Sequence, residues 1–234
     1  MADIQTLVDR FTAGITAAKA MRTENGTNSP VVLLTGATGN IGSHILAQLL
    51  ADEHIGRVYA LNRSSSSADL DGKLGSAFKL RGIPIDLLSK EKFVSLAGDV
   101  TRPDFGLPRE QYEEVGFYHH HSHYIYSPLI WKIISSITHV IHNAWPVSFN
   151  LPLRAFEDQL AGVRKLVDLC AVANHTIRLL VTSSVGVASN WPSENGPVPE
   201  SPISDPSMAT SSGYTASKYV VEQVGFLPTT STEL

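Results

Sequence analysis

Residues 31–42 read VVLLTGATGNIG, and this stretch decides the fold. The apolar run Val31–Thr35 has the length and composition of a strand buried on both faces. Glycines follow at 36, 39 and 42, a GxxGxxG spacing. Over residues 40–50, Ile41, Ile45, Leu46, Leu49 and Leu50 recur on one helical face. A tight strand-to-helix turn uses backbone angles that a Cβ disfavours. It also brings a pyrophosphate close to the main chain, at a helix N-terminus whose free N–H groups attract anions. Gly36, Thr38, Gly39, Asn40, Ile41 and Gly42 are therefore the candidate cradle for a dinucleotide. An ordinary turn with chance glycines is the competing reading. The strand before and the helix after count against it.

The pattern continues outward on both sides. Upstream, residues 4–20 suit a short amphipathic helix with Leu7, Phe11 and Ile15 at helical spacing, and TENGTNSP (23–30) reads as a polar linker. Residues 1–30 are thus expected to be a helix and linker preceding the main domain. Downstream, RVYAL (57–61), FVSLAGD (93–99), THVIHNA (138–144) and RLLVTSS (178–184) read as strands. Residues 66–90 are helical but mixed. The stretch 152–173 is a long amphipathic helix with Phe156, Leu160, Val163, Val167 and Cys170 inward. A loop rich in Ser, Pro and Gly spans 185–213, and a last helix runs from Tyr214 to Val224. Strands alternating with helices predict an α/β domain over 31–224, a doubly wound parallel sheet of the Rossmann type.

In such a sheet ligands meet the carboxyl ends of the strands. The second strand runs into Leu61-Asn62-Arg63-Ser64, where NAD-preferring sites usually carry an acid for the ribose hydroxyls. Arg63 stands there instead, and a guanidinium suits a 2′-phosphate by charge and fork geometry, so NADP(H) is the expected cofactor. At the end of the third strand, Asp99 can accept from the adenine amine and Val100 can pack on its ring. Asn143 and Ala144 end the fourth strand and are expected along the middle of the cofactor. Turn formation is the alternative role for Asp99 and Asn143.

Tyr214 and Lys218 form YxxxK at the start of the last helix, a spacing that sets both side chains on one face. A free phenol has a pKa of ~10, and a neighbouring ammonium favours its ionised form. Tyr214 is the candidate proton donor to a carbonyl under reduction, and Lys218 can also hold the nicotinamide ribose. Thr182-Ser183-Ser184 offers a hydroxyl for the substrate oxygen, and Ser184 is the candidate.

Composition narrows the partners. With 17% charged residues and a net charge of −4, the chain has no general attraction for nucleic acid or anionic lipid. Its single cysteine, Cys170, excludes an intrachain disulfide and reads as core packing. The N-terminus lacks a signal-peptide core and the apolar runs are of strand length, so a cytoplasmic protein without a membrane span is expected. His119, His120, His121 and His123 invite a metal reading. Zinc needs converging ligands with outer support, which a run of adjacent histidines does not supply, so no metal is expected.

Taken together, VVLLTGATGNIGSHIL, RVYALNRS and THVIHNAWPVSFNLPLRAFEDQLAGVRKLVDLC resemble the extended short-chain dehydrogenase/reductase family. More narrowly, they resemble the thioester reductase domain of nonribosomal-peptide-synthetase-like adenylating reductases and aminoadipate reductases. The likeness covers roughly residues 31–224, and LVDRFTAGIT (5–14) resembles the linker between a carrier domain and that reductase. The resemblance implies hydride delivery from NADPH to a phosphopantetheine-bound acyl thioester. Tyr214 then protonates the oxygen, and the thiohemiacetal collapses to an aldehyde. It implies an acyl-carrier protein, or an acyl thioester, as partner.

The sequence departs from the family twice. The family continues well beyond the YxxxK helix, so the chain is expected to lack C-terminal strands and most of a substrate subdomain. Its fifth strand is then expected at a sheet edge. VGFYHHHSHYIYSPLIWK (115–132) reads as an atypical insert, and residues 225–234 as an irregular tail. The insert begins Val115-Gly116-Phe117 and the tail is entered through Val224-Gly225-Phe226; the codons of Val-Gly-Phe can spell an intron's 5′ boundary, so both segments are expected to be unspliced intron read as protein. Two rivals stand beside the reductase: another extended short-chain enzyme (a sugar-nucleotide epimerase or hydroxysteroid-type dehydrogenase), and a cofactor-binding fragment without turnover.

Overall fold

The structure is a computed structural model that describes residues 2–15, 29–107 and 128–226. The helices are α1 (Ala2–Thr12), α2 (Asn40–Ala51), α3 (Ser67–Leu80), α4 (Pro128–Ser136), α5 (Glu157–Val172) and α6 (Gly213–Phe226). The strands are β1 (Val31–Thr35), β2 (Arg57–Asn62), β3 (Phe93–Ala97), β4 (His139–His142) and β5 (Arg178–Val181). The chain divides into two compact units. One comprises Met1–Met21, Trp145–Val172 and Val181–Leu234; the other comprises Arg22–Ala144 and Ala173–Leu180.

The second of these holds the sheet, in the order β3-β2-β1-β4-β5, which is the Rossmann order. β1 pairs in parallel with β2 (Leu33 beside Tyr59) and with β4 (Leu33 beside Val140), and β2 pairs in parallel with β3. The amide of Arg178 donates to Thr138 O at 2.9 Å, tying the start of β5 to β4. β1 is central, and Val32, Leu33, Leu34 and Thr35 are all buried. That two-sided burial is why the run is continuously apolar and does not alternate. Leu34, Leu46, Leu50, Val58, Leu70, Leu74 and Phe78 form one cluster in which α2 and α3 cover the strands. Ser66 caps α3 by accepting from the Asp69 amide at 3.2 Å, and Asp69 reaches back to the Ser65 amide at 3.3 Å.

The inner face of α2 carries Leu46 and Leu50, with Ile45 and Leu49 packed beside them as expected, and departs from the expected face at Ile41. Gly42, Ser43, Leu46, Ala47 and Leu50 are buried, whereas Ile41 is 57% exposed in the first turn. β5 stops at Val181, so Thr182, Ser183 and Ser184 follow the strand and do not close it. It lies at the sheet edge, and Leu180 is exposed there.

In the other unit, α1 buries Ile4, Leu7 and Phe11 against its own neighbours α5 and α6. The Arg164 guanidinium donates to the Phe11 and Ala13 carbonyls at 2.9 and 2.6 Å, closing the end of α1, and to Asp168 at 2.9 Å. On α5 the buried row is Leu160, Val163, Leu166, Val167 and Leu169; Cys170 is only half-buried. Ser212 and Thr215 cap α6 reciprocally: Thr215 N donates to Ser212 Oγ at 3.1 Å, and Ser212 N donates to Thr215 Oγ1 at 3.0 Å. The helix continues through Gly225 and Phe226, two residues into the segment expected to be irregular. The rest of that tail, and the insert from 115 to 127 with its four histidines, lie outside the described residues. Pro128–Lys132, the end of the expected insert, opens α4.

Candidate functional site

The glycine-rich turn is built by close approach. Gly36 has φ +77°, a left-handed value that favours glycine, and a Cβ there would lie 2.7 Å from Ala144 N and 2.9 Å from Asn143 C. A Cβ on Gly42 would overlap the carbonyl oxygen of Gly36. Gly39 is the N-cap of α2 and supplies no side-chain cap. The first α2 amide to find an intrahelical acceptor is Ser43, bonded to Gly39 O at 3.0 Å. The amides of Asn40, Ile41 and Gly42 precede it, and helix geometry offers them no intrahelical acceptor. They carry the positive end of the helix dipole, which is the charge an anion needs.

Below the turn, Thr35 links β1 to β4. Its hydroxyl accepts from the amides of Asn143 and Ala144, each at 3.2 Å, and meets His142 Nδ1 at 2.8 Å. Since the oxygen already accepts twice, its own proton goes to His142, whose Nδ1 is then the acceptor. Asn143 and Ala144 therefore stand against the turn, and the Asn143 side-chain amide borders Gly42.

Asn62 is a residue that sequence reasoning passed over. It is 6% exposed at the end of β2, and its Oδ1 accepts from the Thr38 amide at 3.4 Å. Its Nδ2 is buried without a hydrogen-bond partner. An orphaned donor is costly unless a ligand oxygen meets it. This amide and the uncapped helix start, on a turn that Gly36 and Gly42 allow to fold closely, together fit a dinucleotide phosphate. Arg63, the next residue, is exposed. A cavity of about 630 Å³ is lined by Thr38, Lys73, Ser76 and Arg81, among others. Lys73 is paired there with Asp69 at 2.8 Å, and that ammonium, with Ser64 and Ser65, holds the Asp69 carboxyl far below the usual range.

Asp99 and Val100, the residues expected beside the adenine, follow β3. Asp99 Oδ1 accepts from the amide and hydroxyl of Thr101 at 2.9 and 2.8 Å, a local turn. Val100 is buried, 8% exposed. The loop that follows takes left-handed angles at Asp104 and Phe105, which sets the Phe105 carbonyl against Gly98.

The other unit carries the YxxxK pair. Tyr214 and Lys218 lie one turn apart on α6, and both are buried, at 8% and 2% exposure. Lys218 Nζ donates to Thr182 O at 2.7 Å and sits 4.2 Å above the Trp145 ring. Its distance to the Tyr214 ring centre is 5.9 Å. Burial lowers the Lys218 pKa to about 8, against the pull of Glu222. Tyr214 is flanked edge-on by Phe149 at 5.0 Å and by Phe156 at 6.3 Å. Gly213 makes this possible: a Cβ there would be 2.5 Å from Leu153 N, so the 151–153 backbone passes directly against the start of α6.

Ser184 Oγ accepts from the Gly186 amide at 3.1 Å and opens a short turn over Val185–Ala188. Its proton remains available for donation. Ser183, the neighbour set aside, donates to Glu222 Oε1 at 2.5 Å. Among the described residues, no cluster of His, Cys, Asp and Glu could hold a metal ion, and no helix is long and apolar enough to cross a membrane.

Residues 34–119 match the family described as male sterility protein, an NAD-binding family, and residues 127–225 match the NAD dependent epimerase/dehydratase family. The chain is 34% identical over 231 residues to adenylate-forming reductase Nps9 of Serpula lacrymans var. lacrymans, covering 95% of this chain and 19% of that protein. It is 41% identical over 196 residues to adenylate-forming reductase Nps10 of Heterobasidion annosum, covering 82% of this chain and 16% of that one. The crystal structure of the terminal R domain from the myxalamid PKS-NRPS biosynthetic pathway has the same fold, with a TM-score of 0.75 at 22% identity over 95% of this chain and 50% of that one. The chain thus spans less than a fifth of these curated relatives and half of the solved domain.

Proposed function

The chain belongs to the extended short-chain dehydrogenase/reductase family, on the branch of the terminal reductase domains, and on that premise we propose that it is an NADP(H)-dependent reductase of carrier-bound acyl thioesters. Hydride for the acyl carbon comes from the reduced nicotinamide. The amides of Asn40, Ile41 and Gly42 hold the pyrophosphate, with the Asn62 amide as a further donor. The Arg63 guanidinium meets the 2′-phosphate.

Tyr214 gives its phenolic proton to the substrate oxygen as negative charge develops there. Ser184 donates a hydrogen bond to the same oxygen. The Lys218 ammonium favours the phenolate that remains. The rings of Phe149 and Phe156 pack edge-on against the Tyr214 ring, which is itself largely buried.

One observation carries the reading. Two side chains that can act as proton donor and cation, Tyr214 and Lys218, are buried together on one face of α6, and the lysine is held to the residue two before Ser184. The adenylate-forming reductases point to a carrier-tethered acyl group as substrate and an acyl-carrier protein as partner.

The test titrates the chain with NADPH and NADH by fluorescence. An acyl-pantetheine thioester is then supplied and NADPH consumption followed. Thioester-dependent consumption supports the proposal. Turnover of a sugar nucleotide instead would favour the epimerase reading, which the match over 127–225 keeps in play. Cofactor binding without consumption of any substrate would identify a binding fragment.

A further inference from the structure

Glu222 lies one turn beyond Lys218 on α6, so positions 214, 218 and 222 form a single row. The segment Thr182–Ser184 is gripped from that row at two consecutive residues. Lys218 Nζ takes the carbonyl of Thr182 at 2.7 Å, and Glu222 Oε1 takes the hydroxyl of Ser183 at 2.5 Å. The next residue is Ser184, whose Oγ is fixed by the Gly186 amide. A backbone held at 182 and 183 has little freedom left at 184.

The same carboxylate lies one helical turn from a buried cation. The Glu222 pKa is pushed up by burial, and the Ser183 hydrogen bond and the Lys218 charge oppose that rise. Of the charged or titratable groups described, those bearing on the pair are few. They are Tyr214, and Tyr219, whose own pKa is raised by burial and by the charges of Asp205 and Glu222. On the packed helices α1 and α5, Arg10 pairs with Glu157 and Arg164 with Asp168. For Lys218, Glu222 is the one charge that opposes desolvation.

We propose that Glu222 is a positioning residue of the reductive site: it anchors Ser183, and so aims Ser184, while its carboxylate, one helical turn away, is the counter-charge to the buried Lys218. This rests on the reductase reading for the word reductive; the link between the three side chains stands apart from it.

The test is a titration of the full chain with ¹³C-labelled lysine and glutamate, followed by NMR without cofactor or substrate. Lys218→Arg assigns the lysine signal. In Glu222→Gln the Lys218 midpoint should fall by roughly half a pH unit or more, because the opposing charge is gone. Glu222→Asp should restore most of it. In Ser183→Ala the Glu222 midpoint should rise, since a bond to its charged form is lost. A Lys218 midpoint unmoved in Glu222→Gln overturns the proposal. If that variant does not fold, Ser183→Ala decides: an unmoved Glu222 midpoint overturns it equally. Failure of the unmodified chain to consume NADPH would remove the reductase reading and leave these titrations to be judged on their own.

Discussion

The carbonyl oxygen of Gly36 occupies the space that a side chain on residue 42 would need. The two glycines are therefore one device, in which the turn folds back on the first turn of the helix. Gly42→Ala should force the turn outward, cost about 1–3 kcal/mol of stability and weaken NADPH binding at least about tenfold. Thermal unfolding and fluorescence titration measure the two effects. Gly75→Ala is the control, since a Cβ on Gly75 meets nothing within 4 Å.

Tyr214→Phe removes the proposed proton donor and keeps the ring between Phe149 and Phe156. Thioester reduction should fall by about 10²–10⁴-fold with NADPH affinity nearly unchanged. An undiminished rate would show that another group supplies the proton.

Turnover should decline as Lys218 loses its proton, with an alkaline limb centred near pH 8. Linkage fixes the companion effect on stability. Lys218 has a folded pKa of about 8 and an ordinary one of 10.5, so between these values the unfolded chain binds the extra proton. Its contribution to stability is therefore least favourable below pH 8 and rises with pH towards 10.5. Lys218→Met should abolish both slopes, read by a pH–rate profile and by urea midpoints across that range.

Arg63→Ala should reduce NADPH affinity by about tenfold or more and leave NADH nearly untouched, because only the former carries the 2′-phosphate. Equal loss for both cofactors would remove Arg63 from the recognition of that group.

Phe11→Ala should cost about 3–5 kcal/mol if α1 is integral to the packing of its own unit, since the ring is 6% exposed. Chemical denaturation measures it. A change within a few tenths of a kcal/mol would mean that α1 is merely laid on the surface.

The sheet was legible because its strands are short apolar runs bounded by turn residues, and the parallel order follows from helices at each crossover. The detail at strand and helix ends was not. Ile41 fits the apolar periodicity of α2 but falls in its first turn and is exposed. Leu166 and Leu169 take the inward places for which Cys170 was expected, because α5 presents a broader face than a single stripe. Asp99 closes a local turn through Thr101, a use its side chain finds without any ligand. Asn62 and Ser183 could not be read, since their surroundings come from segments far apart in sequence. Glu222 could have been, for it repeats the four-residue step from Tyr214 to Lys218.

The Thr35 hydroxyl joins the ends of β1 and β4 through three contacts on one oxygen, at the place where the strand order reverses. The mouth of the sheet there is tied by that hydroxyl as well as by the strand ladder, before any ligand arrives. Such a mouth has little ordering left to do on binding, so discrimination among dinucleotides falls to what lines it and not to how it closes.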